Sequence, residues 1–338
     1  MNPVRNFGYM FKNYKNNITK QISKGVKIIF FGTSEFAAPM LETLIKSEKY
    51  LISAVTAPDS PAGRQKVITA SPIKSLAQKF NLDIIQEENI KNPNFIQKIK
   101  DLKPDLIVIV AFGKIIPQEI INIPRFGALN IHPSLLPKYR GPSPIQNAIL
   151  NGESKTGVSF MMIDQEMDHG PILTQFEALI NHNDDYLKLS FKLSELAKNK
   201  IINVLEDYLN GRIQPQNQDH EKATFTKILK REDGLIDWSR RANFIERQIR
   251  AYEPWPGVFT FFKKNDKKIR LKILETKIRE GNGETPGLVN KTDNGFEIKT
   301  GKDWLIILKV QPESSRIMSA QEFLRGYPKI IGQNLTKN

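Results

Sequence analysis

From residue 27 to residue 112 the chain alternates continuous apolar runs with stretches whose apolar positions recur at helical spacing. KIIFFG (27–32), LISAVTA (51–57), LDII (82–85) and PDLIVIVAF (104–112) predict strands. Between them FAAPMLETLIKS (36–47) predicts a helix. A second opens on Ser71 as N-cap with Pro72 at its first position, and a third covers 93–102 behind Asn92-Pro93. The run 104–112 is apolar along its whole length, as expected of a strand covered on both faces. Strands alternating with helices predict an α/β fold, a doubly wound, mostly parallel sheet of Rossmann-like kind. Ligands of such sheets bind outside the carboxyl ends of the strands.

The next apolar run, ALNIHPSLLP (128–137), carries two polar side chains inside it. With 126–131 as a strand, Asn130 and His132 stand on one face at its carboxyl end while Ile131 points the other way. Downstream, Ser143-Pro144 caps a helix over 144–150. TGVSFMMID (156–164) and PILTQFEALI (171–180) read as strands, and 185–209 as one long helix. NGRIQPQNQDHEKA (210–223) is polar and aperiodic, which predicts an interdomain linker. Beyond it lie a helix (241–252) and five short strands at VFTFF, KIRLKILET, GLV, GFEIKT and WLIILKVQ. Five such strands predict a small β-barrel of the oligonucleotide-binding (OB-like) kind. Ser319 to Glu322 is a capping box opening a final helix. The expected division is a poorly ordered basic extension (1–26), a first domain (27–209), a linker (210–224) and a barrel domain (225–330).

Composition narrows the chemistry. The 338 residues, 40% of them hydrophobic, suffice for two cores. The absence of cysteine excludes a disulfide framework, a thiolate metal site and a cysteine nucleophile. The four histidines (132, 169, 182 and 220) form no metal-binding spacing, so no metal is expected. No apolar run approaches a membrane span. The net charge of +14 is uneven: residues 1–26 hold five basic and no acidic residues, 27–224 balance, and 225–338 hold 23 basic and 14 acidic. An excess of +9 on the second domain is the footprint of a nucleic-acid partner, against the duller reading of a lysine-rich surface from biased base composition. Within it KKNDKK (263–268) reads as a hairpin tip, and Trp255, between two prolines, as a packing residue. A basic, acid-free amino terminus fits a mitochondrial presequence, but one arginine among scattered asparagines favours a bacterial extension or an over-long start. A cytoplasmic protein is expected.

Two motifs concern the site. Gly32 lacks the Gly-x-Gly-x-x-Gly spacing and reads as a turn glycine, not part of a dinucleotide site. MIDQEMDHGP places Asp168 in a loop between two strands, a third group for Asn130 and His132; His169 beside it reads as a loop residue. Taken singly, Asn-x-His is a capped strand end and Asp-x-Gly a turn. In the Pro/Gly-rich loop PDSPAGRQKVITA (58–70), Arg64 and Lys66 suit contact with phosphate.

With these residues the chain resembles the methionyl-tRNA formyltransferase family, within the folate-dependent formyltransferases. The resemblance rests on Asn130-x-His132 followed by SLLPKYRGPSPIQNAI, the Asp168 loop, GTSEFAAPMLETL, PDSPAGRQ, IDWSRRANFIERQIRAYEPWPG and MSAQEFLRG, and covers about residues 27 to 330. It implies transfer of a formyl group from 10-formyltetrahydrofolate to the amine of initiator methionyl-tRNA, by a monomer without a metal. It implies that Asn130 and a protonated His132 donate to the oxyanion and that Asp168 helps take the amine proton. It implies that Ser134, Leu135, Leu136 and Pro137 hold folate, and that Arg64 and Lys66 approach the tRNA acceptor stem. The loop departs from the family after Arg64, with Lys66 alone where a more basic run is usual. Two rivals stand beside this expectation. One is formylation of an amino-sugar nucleotide on the same fold, and the other a catalytically inactive RNA-binding relative.

Overall fold

The computed structural model describes residues 25–62, 67–265, 267–282 and 285–337. Residues 1–24, which make up most of the basic extension, and Arg64 and Lys66 lie outside the described residues. Packing divides the chain into two units. The first takes the residues up to Arg140 together with Gly157–Ala178 and Phe191–Thr224. The second takes Gly141–Thr156, Leu179–Ser190 and Phe225 onward.

The first unit begins with β1 (Val26–Gly32), α1 (Ala38–Lys46) and β2 (Tyr50–Thr56). Two short strands, β3 (Ser60–Ala62) and β4 (Val67–Thr69), pair antiparallel within the loop expected over 58–70. Then come α2 (Pro72–Lys79), β5 (Asp83–Gln86), α3 (Pro93–Asp101), β6 (Leu106–Val110), α4 (Gln118–Ile121) and β7 (Ala128–His132). Between β7 and the next strand, β8 (Lys155–Met162), the chain passes through α5 (Pro144–Leu150), which belongs to the second unit; after β8 come β9 (Ile172–Leu179) and α6 (Tyr186–Leu209). The sheet runs β5-β2-β1-β6-β7-β8-β9, parallel from β5 through β7, with β8 antiparallel to β7.

Helix boundaries follow local chemistry. At α2 the Ser71 hydroxyl accepts from the Lys74 amide at 3.0 Å, and Ile73 and Ala77, four apart, are buried. At α3 Asn92 caps in the same way and Phe95 and Ile99 are buried. These side chains join Ile29, Phe31, Val55, Ile107 and Ile109 in one core. All five residues of β6 are buried, as its unbroken apolar run predicts for a two-sided strand. A Cβ at Gly32 would lie 2.8 Å from the Phe30 ring and 3.2 Å from the Val110 carbonyl, so glycine serves close packing at this turn.

In the second unit α7 (Ala242–Tyr252) packs against α5. The sheet consists of β10 (Phe259–Lys264), β11 (Lys267–Arg279), β12 (Val289–Thr292), β13 (Gly295–Lys299), β14 (Trp304–Pro312) and the short β15 (Met318–Ser319), before α8 (Ala320–Gly326). Its order is β10-β11-β14-β13-β12, with β15 on β14. The long β11 pairs with β10 through its first half and β14 through its second, with register shifts between Ile273 and Thr276. The sheet is a curled half-barrel rather than a closed ring. Phe262, Phe296 and Phe323 fill its core.

Two local expectations are corrected. The Ser143 hydroxyl does not cap α5; it donates to the Lys227 carbonyl at 2.9 Å. Ser319 does cap α8, accepting from the Glu322 amide at 3.1 Å, but the Glu322 carboxylate pairs with Arg316 instead of closing the box. Residues 210–224, expected as a linker, are held to the first unit: Gln216 bridges to Ile172, and Thr224 receives hydrogen bonds from the amides of Tyr139 and Arg140. Polar side chains that bond to backbone leave no hydrophobic period to read.

Candidate active site

The site is built on β7. Parallel pairing sets Asn130 opposite Ile109 of β6, and antiparallel pairing sets His132 opposite Ser159 of β8. Period two puts both polar side chains on one face at the strand's carboxyl end. The loop after β8 returns over that face and brings Asp168 to them. Asn130 Nδ2 donates to Asp168 Oδ1 at 3.3 Å, and His132 Nδ1 lies 3.6 Å from the same oxygen. The latter distance exceeds a hydrogen bond.

His132 is 4% exposed, and its Nε2 lies 3.0 Å from the Tyr139 carbonyl oxygen. A carbonyl only accepts, so Nε2 carries a hydrogen and donates to it. The ring edge turned to Asp168 is therefore Nδ1, and the expectation of a donor from His132 is confined to that edge.

Asp168 adopts φ of +50°, a left-handed conformation that aspartate tolerates better than most residues. Two residues on, a Cβ at Gly170 would lie 2.1 Å from the Met162 carbonyl, so only glycine lets the loop close this tightly. At its start, Asp164 accepts from the Glu166 amide at 3.0 Å and pairs with His169 Nδ1 at 2.6 Å. The His169 ring stacks on His220 at 4.0 Å, and His220 Nδ1 accepts from Arg140 Nη2 at 2.8 Å. Burial pulls the Arg140 guanidinium below the usual arginine range, and the charges of Asp164, Asp168 and Glu166 push it back up.

SLLP follows His132 directly. Ser134 donates to the Lys138 carbonyl at 2.6 Å, and its own carbonyl accepts from Ser159 Oγ at 2.6 Å. The Leu136 amide donates to Ser159 Oγ at 3.1 Å, and its carbonyl accepts from Gln175 at 2.9 Å. The Pro137 carbonyl accepts from the Thr224 amide at 3.3 Å. The Leu135 N–H has no protein partner among the described residues. Ser134 and Leu136 are buried, Leu135 and Pro137 half-buried. The face this segment offers is thus the Leu135 amide and side chain with Pro137.

The structure brings Asn130, His132 and Asp168 together and sets SLLP at the end of the same strand. Arg64 and Lys66 belong to the segment between β3 and β4 that lies outside the described residues. Trp255 is 58% exposed, so the packing role expected of it is corrected. Sequence reading missed Arg140, Gln218 and His220. The only signal for Arg140 is a charge inside LLPKYRG, and none marks Gln218 or His220 in an aperiodic polar stretch.

Two family models match the chain: formyl transferase over residues 26–205 and the formyl transferase C-terminal domain over 228–328. Fold and site together define a two-domain formyl transferase. The chain is 44% identical over 299 residues to the methionyl-tRNA formyltransferase of Thermodesulfovibrio yellowstonii, covering 88% of this chain and 95% of that protein. It is 41% identical over 312 residues to the methionyl-tRNA formyltransferase of Sulfurihydrogenibium sp., covering 91% and 99%. The chain belongs to the methionyl-tRNA formyltransferase family. Among solved structures, a HypX variant from Aquifex aeolicus matches with a TM-score of 0.61 at 18% identity, over 91% of this chain and 50% of that one. An N-formyltransferase from Helicobacter canadensis, in complex with folinic acid and dTDP-3-aminofucose, matches with a TM-score of 0.61 at 19% identity, over 83% and 99%. At these identities the likeness is one of fold.

Proposed function

We propose that this chain transfers the formyl group of 10-formyltetrahydrofolate to the amino group of initiator methionyl-tRNA, as a monomer in the bacterial cytoplasm. The observation that carries the reading is the convergence of Asn130, His132 and Asp168 at the carboxyl end of β7. The methionyl amine attacks the formyl carbon. A carbon–nitrogen bond forms as the carbonyl electrons move to oxygen. Asn130 donates to that oxyanion from its amide, and a protonated His132 adds a second donor at Nδ1. One such donor is worth about 3 kcal/mol. Asp168, beside Nδ1, helps take the proton that the amine gives up. Collapse of the intermediate breaks the bond from carbon to N10, a proton passes to N10, and tetrahydrofolate leaves. No protein nucleophile is required. The Leu135 amide, with the apolar sides of Leu135 and Pro137, suits a flat pterin ring, with Ser134 and Leu136 holding the segment in place. Arg64 and Lys66, with the +9 surface of residues 225–338, suit the phosphates of tRNA.

The test supplies purified protein with 10-formyltetrahydrofolate and either methionyl-tRNA or an amino-sugar nucleotide, and follows formylated product. Formyl-methionyl-tRNA is expected. Product from the sugar nucleotide alone would overturn the acceptor, and no product from either would favour an inactive RNA-binding relative. His132→Ala and Asp168→Asn should each lower kcat by about 100-fold or more with the fold intact. Near-normal turnover in either would remove that residue from the chemistry.

A further inference from the structure

Formyl transfer through Asp168 needs its carboxylate held over β7, and the support comes from a residue 50 positions away. Gln218 is 6% exposed, in a stretch without regular secondary structure. Its Nε2 donates to the Asp168 carbonyl at 2.9 Å and to the Gly170 carbonyl at 2.7 Å. These two carbonyls lie on either side of His169, directly after the left-handed residue that carries the carboxylate. A primary amide could lie either way round, and Arg140 decides between them. Its Nε and Nη2 donate to Gln218 Oε1 at 3.1 and 2.8 Å. A guanidinium has no acceptor, so the amide oxygen must face Arg140 and the nitrogen must face the loop.

We propose that Gln218 is a positioning residue for formyl transfer, with Arg140 fixing the sense of its amide so that both amide hydrogens hold the Asp168 loop. The inference rests on the reading of Asp168 as a catalytic group. The other end of the loop is tied separately, Asp164 to His169 and His169 to His220, whose Nδ1 meets the same Arg140. Arg140 thus links both anchors. Glutamine fits where its relatives fail. Glutamate would still accept from Arg140 but would set an oxygen against two carbonyl oxygens. Methionine fills similar volume but donates to neither carbonyl and leaves the buried guanidinium without its fork acceptor.

Gln218→Glu and Gln218→Met, in the full chain, test the proposal with two readouts. Steady-state kinetics should show kcat lowered by about 10- to 100-fold, as a misplaced group costs. KM for folate and for methionyl-tRNA should stay within about 2-fold, because Gln218 is buried and its amide is spent on the loop carbonyls and Arg140. In an Asp168→Asn background the same substitutions should lower kcat by less than about 2-fold more, since their effect passes through Asp168. Hydrogen exchange supplies the second readout: amides of 166–170 should exchange at least about 10-fold faster in Gln218→Met, while those of β6 and β7 keep their protection. This readout needs no activity, so it separates failure of the inference from failure of the functional reading. Unchanged loop exchange, wild-type kcat in both variants, or full additivity with Asp168→Asn would overturn the proposal. If Gln218→Glu does not fold, Gln218→Met decides alone. Protection lost throughout the first unit of that variant counts against it, as the mark of a general structural role.

Discussion

Burial at one residue can be satisfied or left open, and the difference is measurable. His132 spends Nε2 on a carbonyl, which leaves Nδ1 as its one chemical edge. Tyr50 is the opposite case: its hydroxyl oxygen is buried without a hydrogen-bond partner among the described residues. Burial, aided by the charge of Glu206, raises its pKa from 10.0 to about 12. Between those values the folded chain retains a proton that the unfolded chain has lost. Stability therefore falls as pH rises from about 10 through about 12 and is insensitive to this group below that range. Tyr50→Phe removes the unpaired hydroxyl and its titration together. Urea unfolding at neutral pH should show the variant equal to wild type or up to about 1 kcal/mol more stable. Its decline on raising the pH toward 11 should be shallower. A loss of more than about 1 kcal/mol at neutral pH would mean that the hydroxyl has a partner.

Serine before proline marks both α2 and α5 in the sequence, yet only the first is a side-chain cap. Ser71 accepts from the Lys74 amide, and its hydroxyl also lies 2.7 Å from Thr56 Oγ1 in a buried pair. Ser143 is drawn instead to the Lys227 carbonyl, a partner 84 residues away that no local pattern announces. Ser71→Ala should thus cost more than an ordinary cap. About 1 kcal/mol is lost with the cap, and the orphaned Thr56 hydroxyl adds on the order of 1–2 kcal/mol. Ser319→Ala, whose cap on α8 is exposed, should cost about 1 kcal/mol or less. Denaturant midpoints of the two variants check the ranking. Equal losses would show that the Thr56 contact adds nothing.

At the scale of the whole molecule, charge and division matter. Residues 225–338 carry 23 basic and 14 acidic side chains, and a macromolecular polyanion bound there releases counterions. Apparent affinity for methionyl-tRNA should fall on the order of 1000-fold between 50 and 200 mM salt if about six phosphates are neutralised. Arg64→Ala should reduce the log–log slope by about one and leave folate binding unchanged. A flat salt response, or an Arg64→Ala variant with unaltered slope, would exclude these groups from the tRNA contact. Division of the chain decides how such measurements are made. A cut at residue 224 would keep α5 but remove α7, the helix packed against it, so the full chain is the proper material.

By itself the sequence determined what depends on near neighbours. Apolar runs separated by helical periods specify the parallel sheet, because period and length alone set which face is buried. Asn130 and His132 were legible as a pair for the same reason: two residues along a strand share a face. The charge of the carboxyl-terminal region needs only counting. What required the tertiary structure are contacts between residues distant in the chain. Closure of the Asp168 loop over β7, the curl of a half-barrel at a bulged β11, and the exposure of Trp255 leave no local trace. The Gln218 amide is the clearest instance. It serves backbone carbonyls 50 and 48 residues away, and a hydrogen bond to backbone asks nothing of the partner's side chain, so nothing in the pattern of residue types records it.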